Sequence, residues 1–131
     1  MEGIMGKARA EIDIGQPADE VWAVAGDFGG IGGWMPGVES CHVDGDDRVL
    51  KMMGMEIIER LERRDEEARE LIYGIVGGVP VINHKATITV MAQGDGSHVT
   101  WDVEVEPDDM TDMMHQVYQQ SLQALKDHLS G

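Results

Sequence analysis

This sequence predicts an α+β fold in which one antiparallel sheet is covered by a single long helix, and three observations carry that reading. A segment with period-two alternation lies near the start of the chain. Six further segments of strand character follow at short, turn-prone spacing, and a long stretch of helical periodicity closes the chain. The 131 residues fit one domain, taken as 1–131, with no internal repeat, linker or low-complexity segment.

Residues 7–14, KARAEIDI, place Ala8, Ala10, Ile12 and Ile14 on one face and Lys7, Arg9, Glu11 and Asp13 on the other, as in a half-buried strand. In GQPADEVWAVAGDF (15–28), Pro17 and early acids precede apolar Val21, Trp22, Val24, Ala25 and Phe28, which predicts a short helix. The stretch GDFGGIGGWMPGV (26–38) contains six glycines and ends it. Strands are predicted at 38–43, 48–53, 55–63, 69–76, 82–92 and 97–105; the separators DGDD, EE and GDG suit the turns of a meander. Residues 107–129 are predicted as the closing helix. Asp109 is its expected cap, with Asp112 three residues on, and its apolar stripe includes Met110, Met114, Val117, Ser121, Leu125 and Leu129.

Composition excludes several functions. Twenty-five acids against ten Lys and Arg leave a formal charge of −15, which repels nucleic-acid phosphates and anionic lipid headgroups. No apolar run approaches the roughly 20 residues of a membrane span, and MEGIMGKARAEIDIG lacks the features of a secretory signal. Cys41 is the only cysteine, so a cytoplasmic setting is expected. The expected state is a monomer or homodimer, and no cofactor is expected.

The two ends of a meander differ chemically here. The connections at 43–47, 63–69 and 92–97 are polar. Those at 52–55, 77–81 and 107–114, joined by the glycine loop, are rich in Met, Val, Gly and Pro. This greasy rim carries Met52, Met53, Met55, Val79, Met110, Met113 and Met114. Such apolar surface marks either the mouth of a binding site or a plug beneath the helix. The glycine loop follows a helix rather than a strand and fits no phosphate-binding spacing, so a phosphate cradle is rejected. Trp34 either folds over a pocket mouth or packs under a tight turn.

The segments PADEVWAVAGDFGGIGGWMPGVESC, MEIIERLERRDEEARELIYGIVGGVPVINHKATITV and HVTWDVEVEP resemble the polyketide cyclase/dehydrase and lipid-transport family of the START-like, helix-grip superfamily. Pro17-x-x-x-Val21-Trp22, Asp27–Phe28, Trp34-x-Pro36 and Glu59-Arg60-Leu61 carry the likeness, which covers nearly the whole chain. The resemblance implies a curved seven-stranded antiparallel sheet around a long C-terminal helix, with one or two short helices after the first strand and an internal apolar cavity. It implies membership among small-molecule carriers, hormone sensors, aromatic polyketide cyclases and chaperone activators. The chain is short for a full lipid-transfer START domain, which argues against bulky phospholipid cargo. His84 stands where the resemblance leads one to expect an aromatic, usually Tyr, ahead of Ala86–Thr87.

Alternation turns Tyr73, His84 and Trp101 inward. The segment 55–63 has an Ile on both faces, and the resemblance favours Glu59 inward. With turns centred at Glu66 and Gly78–Val79, Glu59 faces Tyr73 and Tyr73 faces His84, giving one polar row in an apolar concavity. The row serves as a structural network, as ligand-orienting groups, or as catalysts. In the last case Glu59 is general acid or base, His84 a relay and Tyr73 an oxyanion donor. The expected function is binding of a small hydrophobic, ring-bearing molecule. Trp34, Met52, Met55, Val79, Met110 and Met114 control access, and Glu59, Tyr73, His84 and Trp101 face the ligand. The alternatives are an aromatic polyketide cyclase or dehydratase using the same pocket, and a protein-interaction module docking through the rim. DDMTD (108–112) is read as helix-start acids, not a magnesium site. His42, His98, His115 and His128 show no metal-ligand spacing, and no Ser-His-Asp arrangement is present.

Overall fold

The computed structural model describes residues 4–130. Its elements run β1 (Gly6–Ile14), α1 (Ala18–Ala25), a 3-10 helix (Phe28–Gly33), β2 (Val38–Asp44), β3 (Asp47–Met52), β4 (Met55–Asp65), β5 (Glu70–Gly77), β6 (Asn83–Gln93), β7 (Gly96–Glu106), a 3-10 turn (Asp108–Met110) and α2 (Thr111–Ser130). The seven strands form one antiparallel sheet in the order β1-β7-β6-β5-β4-β3-β2, so β1 alone leaves the meander and pairs with the last strand. The seven-stranded α+β architecture with a long C-terminal helix is present as expected.

Pleat alternation builds the core. In β7, Ser97, Val99, Trp101, Val103 and Val105 are buried, and in β6 His84, Ala86, Ile88 and Val90 are buried opposite half-exposed Thr87 and Thr89. On the other face of β1 and β7, Arg9 Nε donates to Asp102 Oδ1 at 2.7 Å, a solvated pair that keeps that side polar. Helix α2 crosses the inner face against β1 and β7 and buries Met114, Tyr118, Ser121, Leu122 and Leu125.

Two local expectations are corrected. The glycine-rich stretch does more than end α1: Phe28–Gly33 winds into a 3-10 helix that buries Phe28 and Ile31. Asp109 is not the cap of α2. Pro107, which lacks an N–H, precedes a 3-10 turn holding Asp109, and the α-helix begins at Thr111, whose Oγ1 donates to the Asp108 carbonyl at 2.6 Å.

Candidate functional site

The most deeply buried charge is Arg48. It lies on the same face of β3 as Leu50 and Met52 and directly opposite Glu59 of β4. Its Nε donates to Glu59 Oε1 at 2.8 Å, and its Nη1 donates to the Phe28 carbonyl at 2.8 Å. Nη2 is 2.7 Å from the same Glu59 oxygen but lacks hydrogen-bond geometry. The guanidinium lies 4.0 Å from the Phe28 ring centroid and 4.7 Å from that of Tyr73, so its faces are covered by π-clouds. Burial pushes the Glu59 carboxyl above the ordinary carboxylate range, and the neighbouring Arg48 pulls it back.

A second polar cluster joins sheet to helix. The backbone N–H of Ile75 donates to His84 Nδ1 at 3.1 Å, which makes that nitrogen an acceptor and puts the ring proton on Nε2. Nε2 then donates to the Tyr118 hydroxyl of α2 at 3.0 Å. Burial holds the His84 imidazole down at about 4, so it is neutral around pH 7. Trp101 Nε1 donates to the Tyr73 hydroxyl at 3.2 Å. Burial raises both phenols well above their usual range. Gly74 permits the close approach of β5 to β6 here, since a Cβ at that position would sit 2.6 Å from the His84 carbonyl oxygen.

Glu59, Tyr73, His84 and Trp101 all point inward, yet the predicted row does not form. Tyr73 pairs with Leu61 and Ala86, while Glu59 pairs with Ile75. The β4–β5 turn lies further along the chain than expected, at residues 66–69: Asp65 Oδ1 accepts the N–H groups of Glu67 and Ala68, and the ladder is irregular between Leu61 and Arg63. Each predicted register is off by two residues. An even slip preserves the face and changes the neighbour, so Glu59 meets Arg48 and His84 meets Tyr118.

The rim residues separate. Met52 and Met114 are buried, Val79 and Met110 half-buried, and Met53, Met55 and Met113 exposed. The turn after β3 and the segment after β7 share one end of the sheet but lie toward opposite edges of the strand order. Trp34 is inside, 8 % exposed, with its ring tilted against Trp101 at 6.1 Å. Between Trp34, Arg48, Tyr73, Ile88 and Trp101 the interior holds a void of about 10 Å³, room for about one water, so the expected ligand-sized cavity is closed in this conformation. The open clefts are on the surface; one of about 400 Å³ reaches His84 where β5 and β6 diverge.

Arg48 and Tyr118 are the site residues that sequence reading missed. Both carried a signal: Arg48 precedes Leu50 and Met52 at period two, and Tyr118 falls midway between Met114 and Leu122 at period four. Among the described residues, no group of three or more His, Cys, Asp and Glu is placed to hold a metal ion, and no helix is long and apolar enough to cross a membrane.

Comparison with known proteins places this geometry. The family model for polyketide cyclase/dehydrase and lipid transport matches residues 5–130. A crystal structure of a protein from Bacillus thuringiensis is similar at 26% identity and TM-score 0.90, covering 96% of this chain and 100% of its own. The protein XoxI from Bacillus cereus is similar at 27% identity and TM-score 0.89, with 95% of each chain covered. Norcoclaurine synthase from Thalictrum flavum, solved with dopamine and hydroxybenzaldehyde, shares the fold at 19% identity and TM-score 0.76, over 98% of this chain and 86% of its own. Among curated proteins no relative matches the sequence.

Proposed function

The chain belongs to the polyketide cyclase/dehydrase and lipid-transport family, and on that premise we propose that it binds a small hydrophobic, ring-bearing molecule between its sheet and α2. The observation that carries this reading is the aromatic stack at the centre of the fold. The rings of Trp101 and Tyr118 lie 2° from parallel with centroids 4.3 Å apart, and Trp34 tilts against the same indole. A flat apolar ligand exchanges one aromatic neighbour for another at such a place. The flexible thioethers of Met52 and Met114, buried near the rim, suit a wall that reshapes around its occupant. A cytoplasmic setting and a monomeric or homodimeric state belong to the same proposal.

The polar groups favour binding over turnover. His84 uses both ring nitrogens, and Glu59 is held by Arg48, so neither stands ready as a general base. The cyclase or dehydratase alternative requires Glu59 to leave Arg48. One observation favours a different second reading, a protein-interaction module: the interior is closed, while Met53, Met55 and Met113 are exposed.

Native mass spectrometry and calorimetry with 2-naphthol separate these readings. The binding proposal expects one saturable equivalent, retained when Met53→Asp and Met113→Asp are combined. Absence of binding, or its loss in that rim variant, favours the interaction module.

A further inference from the structure

Buried hydrogen-bond donors without a partner gather around the interior void. Of the three indoles, Trp22 donates to Glu66 Oε2 at 2.7 Å and Trp101 donates to Tyr73. Trp34 Nε1 is buried with no partner. The Ile75 N–H fixes His84 as an Nε2 donor, which makes the Tyr118 oxygen an acceptor. The Tyr73 oxygen already receives the Trp101 N–H, so its own O–H is left to give. Arg48 Nη2 adds a third donor without a properly aligned acceptor. Trp34, Tyr73 and Arg48 all border the same void. Asp27 also borders it and is an exposed residue.

We infer that the interior site holds its ligand by an acceptor oxygen, a carbonyl or carboxylate, seated among Trp34 Nε1, the Tyr73 hydroxyl and Arg48 Nη2. Buried donors without an acceptor are costly, so an occupant that supplies one gains over a hydrocarbon of the same shape. Discrimination of this kind is large because the site itself carries the unmet hydrogen bonds. The inference rests on the proposed function, since it needs the interior to admit a ligand, and it adds the chemical class of that ligand.

The test is a matched pair of probes, 2-acetylnaphthalene and 2-isopropenylnaphthalene, which differ in a carbonyl against a methylidene group. The ketone is expected to bind at least about tenfold tighter than the hydrocarbon, and Trp34→Phe to shrink that ratio severalfold. Because the variant could lose its fold, the indole N–H resonances of the unaltered protein give a second readout. The Trp34 signal should move downfield with the ketone and not with the hydrocarbon. Equal affinity for both probes, or a Trp34 signal that responds alike to both, overturns this inference and leaves the binding proposal standing. Binding of neither probe overturns the binding proposal and the inference with it.

Discussion

His84 and Tyr118 are joined across the sheet–helix interface by a 3.0 Å hydrogen bond, with Nε2 donating to the phenol oxygen. The same phenol ring stacks on Trp101, so one residue of α2 fastens the helix to β6 through its hydroxyl and to β7 through its face.

Those two roles are separable. Tyr118→Phe keeps the stack and strands the His84 donor, and should cost about 1–3 kcal/mol of stability. Tyr118→Ala loses both, and should cost about 3–5 kcal/mol. Urea unfolding of the two variants measures the difference; equal costs would mean that the stacked ring contributes nothing, and an unchanged Tyr118→Phe would mean that the hydroxyl contributes nothing.

The Arg48–Glu59 pair predicts non-additivity. Removing one partner by Arg48→Met or Glu59→Leu leaves the other charge buried and unpaired, and each change should destabilise by about 3–5 kcal/mol. The double variant Arg48→Met with Glu59→Leu should recover most of that loss, because no charge is then left unpaired. A thermodynamic cycle checks this. Additive costs would show that the pair is not coupled.

His84 predicts acid sensitivity with a definite sign. Its folded value of about 4 lies below its ordinary 6.5, so between those values the unfolded chain binds the extra proton. The stability it protects is fully present above about pH 6.5 and falls away toward pH 4, by about 3 kcal/mol. Comparing the pH dependence of unfolding in the wild type and in His84→Gln isolates this contribution. Parallel curves from pH 7 to 4 would contradict it.

The rim predicts tolerance. Met53 and Met113 are more than half exposed, and changing either to Asp should alter stability by no more than about 0.5 kcal/mol, whereas Met114→Asp places a charge in the core and should cost about 3 kcal/mol or more. Thermal melts of the three variants check the ordering.

Much of this was legible in the sequence, and the remainder failed for identifiable reasons. Strand alternation put Tyr73, His84 and Trp101 on the inner face, and the resemblance put Glu59 there; all four are buried. Cross-strand partners were not legible, because they depend on turn length. The turn at 66–69 and the irregularity near Leu61 moved the β4–β5 register by an even step, and the β5–β6 pairing is displaced by two residues as well. Arg48 was passed over because a charged residue at a strand's first position reads as solvated, although Leu50 and Met52 placed it on the buried face. Tyr118 was left out of a stripe that took Val117 in its place, although Met114, Ser121 and Leu125 of that stripe are buried. Whether the interior opens is a property of motion between sheet and helix, which no residue pattern encodes.

The most direct measurement is a set of intermolecular nuclear Overhauser effects between bound 2-acetylnaphthalene and the protein. A ligand held between sheet and helix predicts cross-peaks to the ring protons of Trp34, Trp101 and Tyr118, saturating at one equivalent. Cross-peaks confined to the methyls of Met53, Met55 and Met113 would contradict an interior site and place the apolar contact on the rim.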